Sequence, residues 1–301
     1  MVRKTLITGK TGTIGSNIFF ADGPPSSRYD LTDIRQVKSL LNKYKPNTII
    51  HCAARVPSLA MDENMKYSLF YNNIMINSNI IEVAKNMEIP RVLSFLSSWA
   101  FPKQGNLICD ESHTQKDEPL ELYYPYGYSK RMLEIQSRIC YESFGLCYNC
   151  VLPTNIYGIN DNFSLSAGHV IAMLIHKAFN SKNNKTDFIV WGDGSQEREF
   201  IFTDDVVKLV KWAIDNYLEK EPIILSNNIS VSIKDVAYII AKRFGVTNQL
   251  IFDTSKPIGQ KAIRSDGSKL KKLLDFQFTP IEKGIDITID WFLKNYPNIR
   301  F

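Results

Sequence analysis

Two short strings in this chain have the residue types and spacing of carbonyl chemistry. In Tyr126-Gly127-Tyr128-Ser129-Lys130 a tyrosine and a lysine stand four positions apart, which on a helix puts both on one face. An ammonium beside a phenol stabilises the phenolate and lowers a pKa that is ordinarily about 10; an oxidised, positively charged nicotinamide would add to this. Tyr126 could then give a proton to a carbonyl oxygen as hydride arrives at its carbon. Tyr128 has no such partner, because Met132 stands four residues on. The string is common by chance and gains specificity from its company. Leu96-Ser97-Ser98-Trp99 follows an apolar run from Arg91 to Leu96, and open parallel sheets bind ligands beyond the carboxyl ends of their strands. A hydroxyl at Ser97 can hold a substrate carbonyl and steady the developing oxyanion. The plainer reading is two serines ending a strand.

Gly9-Lys10-Thr11-Gly12-Thr13-Ile14-Gly15 reads G-x-x-G-x-x-G between a strand-type run, Val2 to Thr8, and an apolar stretch, Ile14 to Phe20, expected to open a helix. Glycines in that place allow a tight turn and let backbone N–H groups approach a pyrophosphate at a helix N-terminus. The whole turn, Gly9, Lys10, Thr11, Gly12, Thr13, Ile14 and Gly15, is therefore a candidate dinucleotide site, with the spacing of extended short-chain dehydrogenase/reductases. An NAD site usually sets a carboxylate at the end of the second strand. Here that stretch reads Ser26-Ser27-Arg28, with no acid until Asp30. Together with Lys10, the hydroxyls and the cation suit a 2′-phosphate. NADP(H) is the expected cofactor and Arg28 a candidate contact; the alternative is a solvated arginine.

The elements needed to hold these groups follow from the hydrophobic pattern. Strand-type runs at Asn47 to Cys52, Arg91 to Leu96 and Cys147 to Val151 alternate with helical stretches at Ile34 to Tyr44, Asp62 to Asn86 and Ser129 to Phe144. That alternation predicts an α/β fold, a Rossmann-like doubly wound parallel sheet. Adjacent Pro24 and Pro25 forbid a central ladder, so at most a short strand near Ser26 to Tyr29 is expected. Beyond residue 155, helices at His169 to Phe179, Asp204 to Tyr217, Ile233 to Phe244 and Pro280 to Asn295 surround a strand at Phe188 to Trp191, with a polar loop from Asn180 to Lys185. The division is 1–155 for the dinucleotide-binding domain and 156–301 for a smaller C-terminal α/β substrate-binding domain. Some segments pack back on the first, and no linker is long enough for independent motion.

Of the 301 residues 44% are hydrophobic and 22% charged. This excludes a disordered tail, a collagen-like repeat and a disulfide-stapled miniprotein. The net charge of +5 is too mild to indicate nucleic acid and suits a small anionic substrate. No apolar run approaches the roughly 18 residues of a membrane span, and no secretory leader is visible. The cysteines number five, an odd count that reads as reduced and cytoplasmic. Cys147-x-x-Cys150 lacks a second pair at zinc spacing and lies in an apolar run, so it reads as a core strand and no metal is expected.

The chain resembles the GDP-L-fucose synthase family, the GDP-4-keto-6-deoxymannose 3,5-epimerase/4-reductases. The likeness runs through the glycine turn, Asp30-Leu31-Thr32-Asp33, His51-Cys52-Ala53-Ala54-Arg55-Val56 and Tyr126 to Met132. It continues in Pro153-Thr154-Asn155-Ile156-Tyr157-Gly158, Asp161-Asn162-Phe163, His169-Val170-Ile171 and Val190-Trp191-Gly192-Asp193-Gly194 through Arg198-Glu199-Phe200. The resemblance implies a reductase triad of Ser97, Tyr126 and Lys130, with His169 as an acid or base of epimerisation. It implies that Ala53, Ala54, Pro153, Asn155, Ile156 and His169 line the cofactor, with Tyr126 and Lys130. Ser97, Ser98, Trp99, Asn162, Lys177, Trp191 and Arg198 take substrate positions, and a GDP-linked keto sugar is the implied substrate. Cations and a ring face suit a nucleoside diphosphate on physical grounds too. Homodimers of this class pair through a four-helix contact, for which the helices Asp62 to Asn86 and Ser129 to Phe144 are candidates; intrachain burial of those faces reads equally well.

Two departures from the family pattern carry consequences. The second epimerisation residue is a cysteine two places after the serine, and Trp99 stands there. Epimerisation beside a ketone removes a proton from one face and returns it to the other, and an indole N–H is no base near pH 7. Cys109, and more weakly His113, are the replacements within reach in sequence. The second departure is Lys256-Pro257-Ile258-Gly259-Gln260-Lys261-Ala262-Ile263-Arg264, which shifts the family's basic cluster; Lys261 remains a substrate candidate. The expectation is an NADPH-dependent reductase acting at C4 of a GDP-4-keto sugar. The alternatives are the bifunctional epimerase/reductase and a catalytically silent NADP-binding regulator.

Overall fold

The computed structural model describes residues 4–57, 64–103, 107–119, 121–256 and 261–301. Val2, Arg3, Asp62 and the run 257–260, which entered the expected elements and motifs, lie outside them. In chain order the elements are β1 (Thr5–Thr8), α1 (Ile34–Tyr44), β2 (Thr48–His51), α2 (Met65–Asn86), β3 (Arg91–Phe95), β4 (Ile108–Cys109), α3 (Tyr124–Phe144), β5 (Cys147–Pro153) and β6 (Asn155–Tyr157). There follow α4 (Val170–Asn184), β7 (Phe188–Trp191), β8 (Glu197–Phe202), α5 (Thr203–Asn216), β9 (Ile223–Leu225), β10 (Ser230–Ser232), α6 (Ile233–Phe244), β11 (Leu250–Asp253), β12 (Ala262–Ser265), α7 (Ser268–Leu273) and α8 (Ile281–Asn295).

The main sheet has the order β1-β2-β3-β5-β9, every neighbouring pair parallel. Alternate side chains of a strand face opposite ways, and here both faces are covered. Leu6, Ile49 and Val92 pack with Leu40, Ile80 and Leu133 of α1, α2 and α3. Ile7, Ile50 and Leu93 pack with Val206, Leu209 and Val210 of α5. That two-sided burial is why these strands read as unbroken apolar runs. The second part is built on β10-β8-β12-β4, with β6 on β8 and a separate β7–β11 pair, around a core of α4, α6 and α8. The parts share strands: β9 completes the first sheet and β4 the second. Cys147 and Cys150 lie in β5 as free thiols. No helix among the described residues is long and apolar enough to cross a membrane.

Four expectations need correction. The stretch Ile14 to Phe20 does not open an α-helix; a single 3-10 turn, Gly15–Asn17, is followed by extended Ile18. Only six residues, 16–21, separate the glycine turn from Asp22, which bridges back to Leu6, and six residues make fewer than two turns of α-helix. The second strand shrinks to that bridge, with Ile7 N donating to Asp22 O at 2.7 Å and Asp22 N to Thr5 O at 3.0 Å; Ser26 to Tyr29 form turn and bend. Helix α3 begins at Tyr124, not Ser129, with Pro125 in its first turn, where a missing N–H costs nothing. Helix α4 runs on to Asn184, with Lys185 left-handed as its cap, taking in most of the expected polar loop.

Candidate active site

The glycine turn, Ala53 and Ala54, Ser97, and Pro153 to Asn155 follow the carboxyl ends of β1, β2, β3 and β5, so parallel pairing gathers them at one end of the sheet. The turn is tightly folded. Gly9 has φ +73° and lies against Ala53, and a Cβ on Gly15 would fall 2.1 Å from the Gly9 carbonyl oxygen. This close approach of bare backbone fits a dinucleotide's phosphates. The expected helix N-terminus is not part of the fit. Lys10 is turned under the turn, its Nζ donating to Ile18 O at 2.6 Å. Thr11 Oγ1 donates to Ser26 Oγ at 2.7 Å, so a hydroxyl of the second-strand region does stand beside the turn. Arg28 is exposed, with its guanidinium 6.0 Å from the Tyr29 ring centroid.

Tyr126 and Lys130 both lie in α3 and both are buried, at 6% and 2% exposure. Lys130 Nζ donates to Phe95 O at 2.8 Å and stands 5.6 Å from the Tyr126 ring centroid. Ser97 caps the 3-10 turn Ser98–Ala100, accepting from Trp99 N at 3.3 Å. Gly127 makes the approach of α3 possible: a Cβ there would meet Trp99 O at 2.4 Å. Burial pulls the Lys130 ammonium down to about 8. Burial raises the Tyr126 phenol above its ordinary value, contrary to the lowering expected from its neighbour. The physical reason is burial, which strips water from the phenolate. A phenol held protonated is fit to donate.

Beneath this pair runs a buried polar chain. Thr8 Oγ1 and His51 Nδ1 are 2.8 Å apart, His51 Nε2 and Asn77 Oδ1 3.0 Å, and Asn77 Nδ2 donates to Ser129 O at 3.3 Å. Burial, with the Lys130 charge, brings His51 down to about 4 and so keeps it neutral. This chain joins β1, β2, α2 and α3 through groups that no local spacing would have connected.

The Trp99 ring packs on Tyr123, centroids 4.3 Å apart. The Arg198 charge favours the Tyr123 phenolate, against a larger effect of burial, which makes Arg198 a neighbour of the same wall; its Nη1 donates to Glu197 O at 2.7 Å. Neither replacement for the missing cysteine is suited. Cys109 is buried in β4, where burial pushes its thiol up to about 11. His113 lies within a 3-10 turn capped by Asp110, its Nδ1 2.7 Å from Asp110 Oδ1.

Farther from the sheet, His169 Nδ1 meets Asp161 Oδ1 at 2.7 Å. Asp161 is fully buried, also takes the Thr13 hydroxyl at 3.1 Å and the Asn162 N–H at 2.8 Å, and leaves its Oδ2 unpartnered among the described residues. Its charge raises the His169 pKa. Asn162 spends its amide on its own loop, accepting from Ser164 N at 3.0 Å and donating to Ala167 O at 3.2 Å. Asn155 Nδ2 donates to Glu199 O at 2.9 Å; Ile156 of β6 is half-buried. Lys177 lies 5.4 Å from the Trp191 ring centroid, and that ring is 52% exposed. Lys261 is exposed, while Arg264 pairs with Glu197 at 2.6 Å. Asp161, His51 and Tyr123 stood in or beside quoted motifs without a role; only their neighbours in space reveal one.

The "NAD dependent epimerase/dehydratase family" model matches residues 24–226. A GDP-L-fucose synthase of Dictyostelium discoideum is 36% identical, covering 99% of this chain and 98% of that protein. A probable GDP-L-fucose synthase of Drosophila melanogaster is 32% identical over 99% of this chain and 100% of its own length. The crystal structure of a GDP-L-fucose synthetase from Naegleria fowleri bound to NADP superimposes with a TM-score of 0.93 at 33% identity, covering 100% of this chain and 95% of that one. On the fold, the site and these similarities together, the chain belongs to the GDP-L-fucose synthase family.

Proposed function

We propose that this chain is an NADPH-dependent reductase of the C4 ketone of a GDP-linked 4-keto sugar, and that it does not epimerise. The observation that carries this is Trp99, packed on Tyr123 at 4.3 Å where the family pattern has its cysteine, beside an intact Ser97, Tyr126 and Lys130. NADPH, when bound, supplies the hydride. Tyr126 delivers the proton to the carbonyl oxygen, Ser97 holds that oxygen, and Lys130 positions the phenol's helix and the cofactor ribose. The glycine turn, Ala53, Ala54, Pro153, Asn155 and Ile156 hold the dinucleotide, with Arg28 and Ser26 toward its 2′-phosphate. Lys177, Trp191 and Arg198 take the nucleoside diphosphate, with Ser98, Asn162 and Lys261 as outer contacts. Removing one of two proton-transfer groups costs about 10²–10⁴ in rate, which makes epimerisation negligible beside reduction.

The division 1–155 for cofactor and 156–301 for substrate belongs to this reading. A cytoplasmic location is inferred from the free thiols. A homodimer is supported by an exposed apolar stripe of Tyr128, Met132 and Ile139 on α3, beside Tyr67, Phe70 and Tyr71 on α2. Met132→Glu is expected to yield monomers by light scattering.

The deciding experiment supplies GDP-4-keto-6-deoxymannose and NADPH in D₂O. Reduction with no deuterium at C3 or C5 is expected, and rapid labelling at both would defeat the reading. NADPH oxidation that survives Tyr126→Phe would remove the assigned proton donor. The bifunctional synthase is the second reading, favoured by the His169–Asp161 contact.

A further inference from the structure

The glycine turn enters only a three-residue 3-10 turn, so it lacks the aligned peptide dipoles that place about half a positive charge at an α-helix N-terminus. Its own cation is also unavailable: Lys10 Nζ donates to Ile18 O at 2.6 Å and Ala21 O at 3.4 Å. Another cation comes from the far end of the sequence. The segment 296–301 is laid against the second part of the molecule, where Phe163 N donates to Arg300 O at 2.9 Å. The Phe301 ring lies 5.4 Å from that of His176. With its carbonyl held by Phe163 N and the next residue's ring against His176, Arg300 reaches the turn, and its Nη1 donates to Thr13 Oγ1 at 3.2 Å.

Among the described residues this is the guanidinium's one hydrogen bond, out of five donors that an arginine carries. Nor does Arg300 form an ion pair there. Asp161, which shares Thr13 Oγ1 with Arg300, also directs Oδ1 to His169 and Asn162, and its Oδ2 has no hydrogen-bond partner among the described residues. A guanidinium held at a glycine turn by one hydrogen bond, with donors to spare and no ion-paired carboxylate among the described residues, has the fork geometry that takes phosphate oxygens bidentately.

We propose that Arg300 binds the pyrophosphate of the dinucleotide, supplying the positive charge that the shortened turn lacks. This rests on the dinucleotide reading above. The test titrates the wild-type chain, Arg300→Gln and Arg300→Lys with NADPH and with NADH, followed by nicotinamide fluorescence. Both ligands carry the same pyrophosphate, so Arg300→Gln is expected to raise both dissociation constants about tenfold or more, the scale of one charge-assisted hydrogen bond; Arg300→Lys raises them less. A loss confined to NADPH would assign Arg300 to the 2′-phosphate and overturn the proposal. Unchanged affinities, with or without a lower thermal midpoint, would reduce Arg300 to a brace between the two parts. A wild-type chain that binds neither ligand would sink the dinucleotide reading itself, and this inference with it.

Discussion

The ammonium of Lys130 donates to the carbonyl of Phe95 at 2.8 Å, a bond from the body of α3 to the last residue of β3. It fixes the distance between the helix that carries the phenol and the strand end that carries the serine, using a charge that burial disfavours. Lys130 holds its proton with a pKa of about 8 against an ordinary 10.5. Between those values the unfolded chain binds more proton, so this group's contribution to stability grows with rising pH, by about 3 kcal/mol at most. The thermal midpoint of wild type minus that of Lys130→Met is therefore expected to climb from pH 8 to 10.5; the subtraction removes groups that titrate independently of Lys130. A flat difference would contradict a dry ammonium.

Gly127→Ala places a Cβ 2.4 Å from Trp99 O and 2.9 Å from Pro119 Cβ. Neither backbone nor proline ring can yield as a flexible side chain would. The helix must shift away from the Ser97 turn, carrying Tyr126 with it. Denaturant unfolding is expected to show a loss of about 2 kcal/mol or more, and hydride transfer to slow in parallel. Gly145→Ala, whose Cβ meets nothing within 4 Å, carries only the strain of its φ of +64°, about 1–2 kcal/mol, and is expected to leave hydride transfer unchanged.

Trp99→Cys returns a thiol two residues beyond Ser97 and opens the space that the indole fills. Deuterium uptake at C3 or C5 of the keto sugar is expected to rise at least about tenfold over wild type, read by NMR. No gain would mean that something other than Trp99 blocks the exchange.

Asp161→Asn removes the charge that raises His169. A raised histidine stabilises the fold fully below its unfolded value, and that contribution is lost as pH rises through the folded value. The His169 ring signal is expected to titrate above the ordinary 6.5 in wild type and clearly lower in Asp161→Asn, by proton NMR. Identical titrations would remove the carboxylate from any role in holding that ring.

How much the sequence disclosed follows from the range of the interactions. Helix α1 was legible because its apolar residues recur at helical spacing and Asp33 caps it, accepting from Arg35 N. The central strands were legible because two-sided burial makes them continuously apolar. The shortened unit after β1 departs from its pattern: Ile14 to Phe20 is apolar enough for a helix start, but after only six residues beyond the glycine turn the chain is already back beside Leu6 at Asp22. The three-residue strands β6, β9 and β10 are too short to carry a period. Tyr126 and Lys130 are neighbours along one helix and could be paired on paper. Thr13 and Arg300 meet only in space, as do His51 and Asn77, and no local pattern links them.

On the outer side of β1 the bridge at Asp22 takes up Ile7 N and Thr5 O, and no further strand among the described residues pairs there. A bare strand edge is a template on which other chains can add, the first step toward aggregates. Two features limit that hazard. The strand is four residues long, and one residue after the bridge, beyond Gly23, come Pro24 and Pro25, denying an incoming strand the N–H groups it would need to continue. Replacing that proline pair would lengthen the sticky edge, so solubility during expression, rather than catalysis, is where such a change would be felt first.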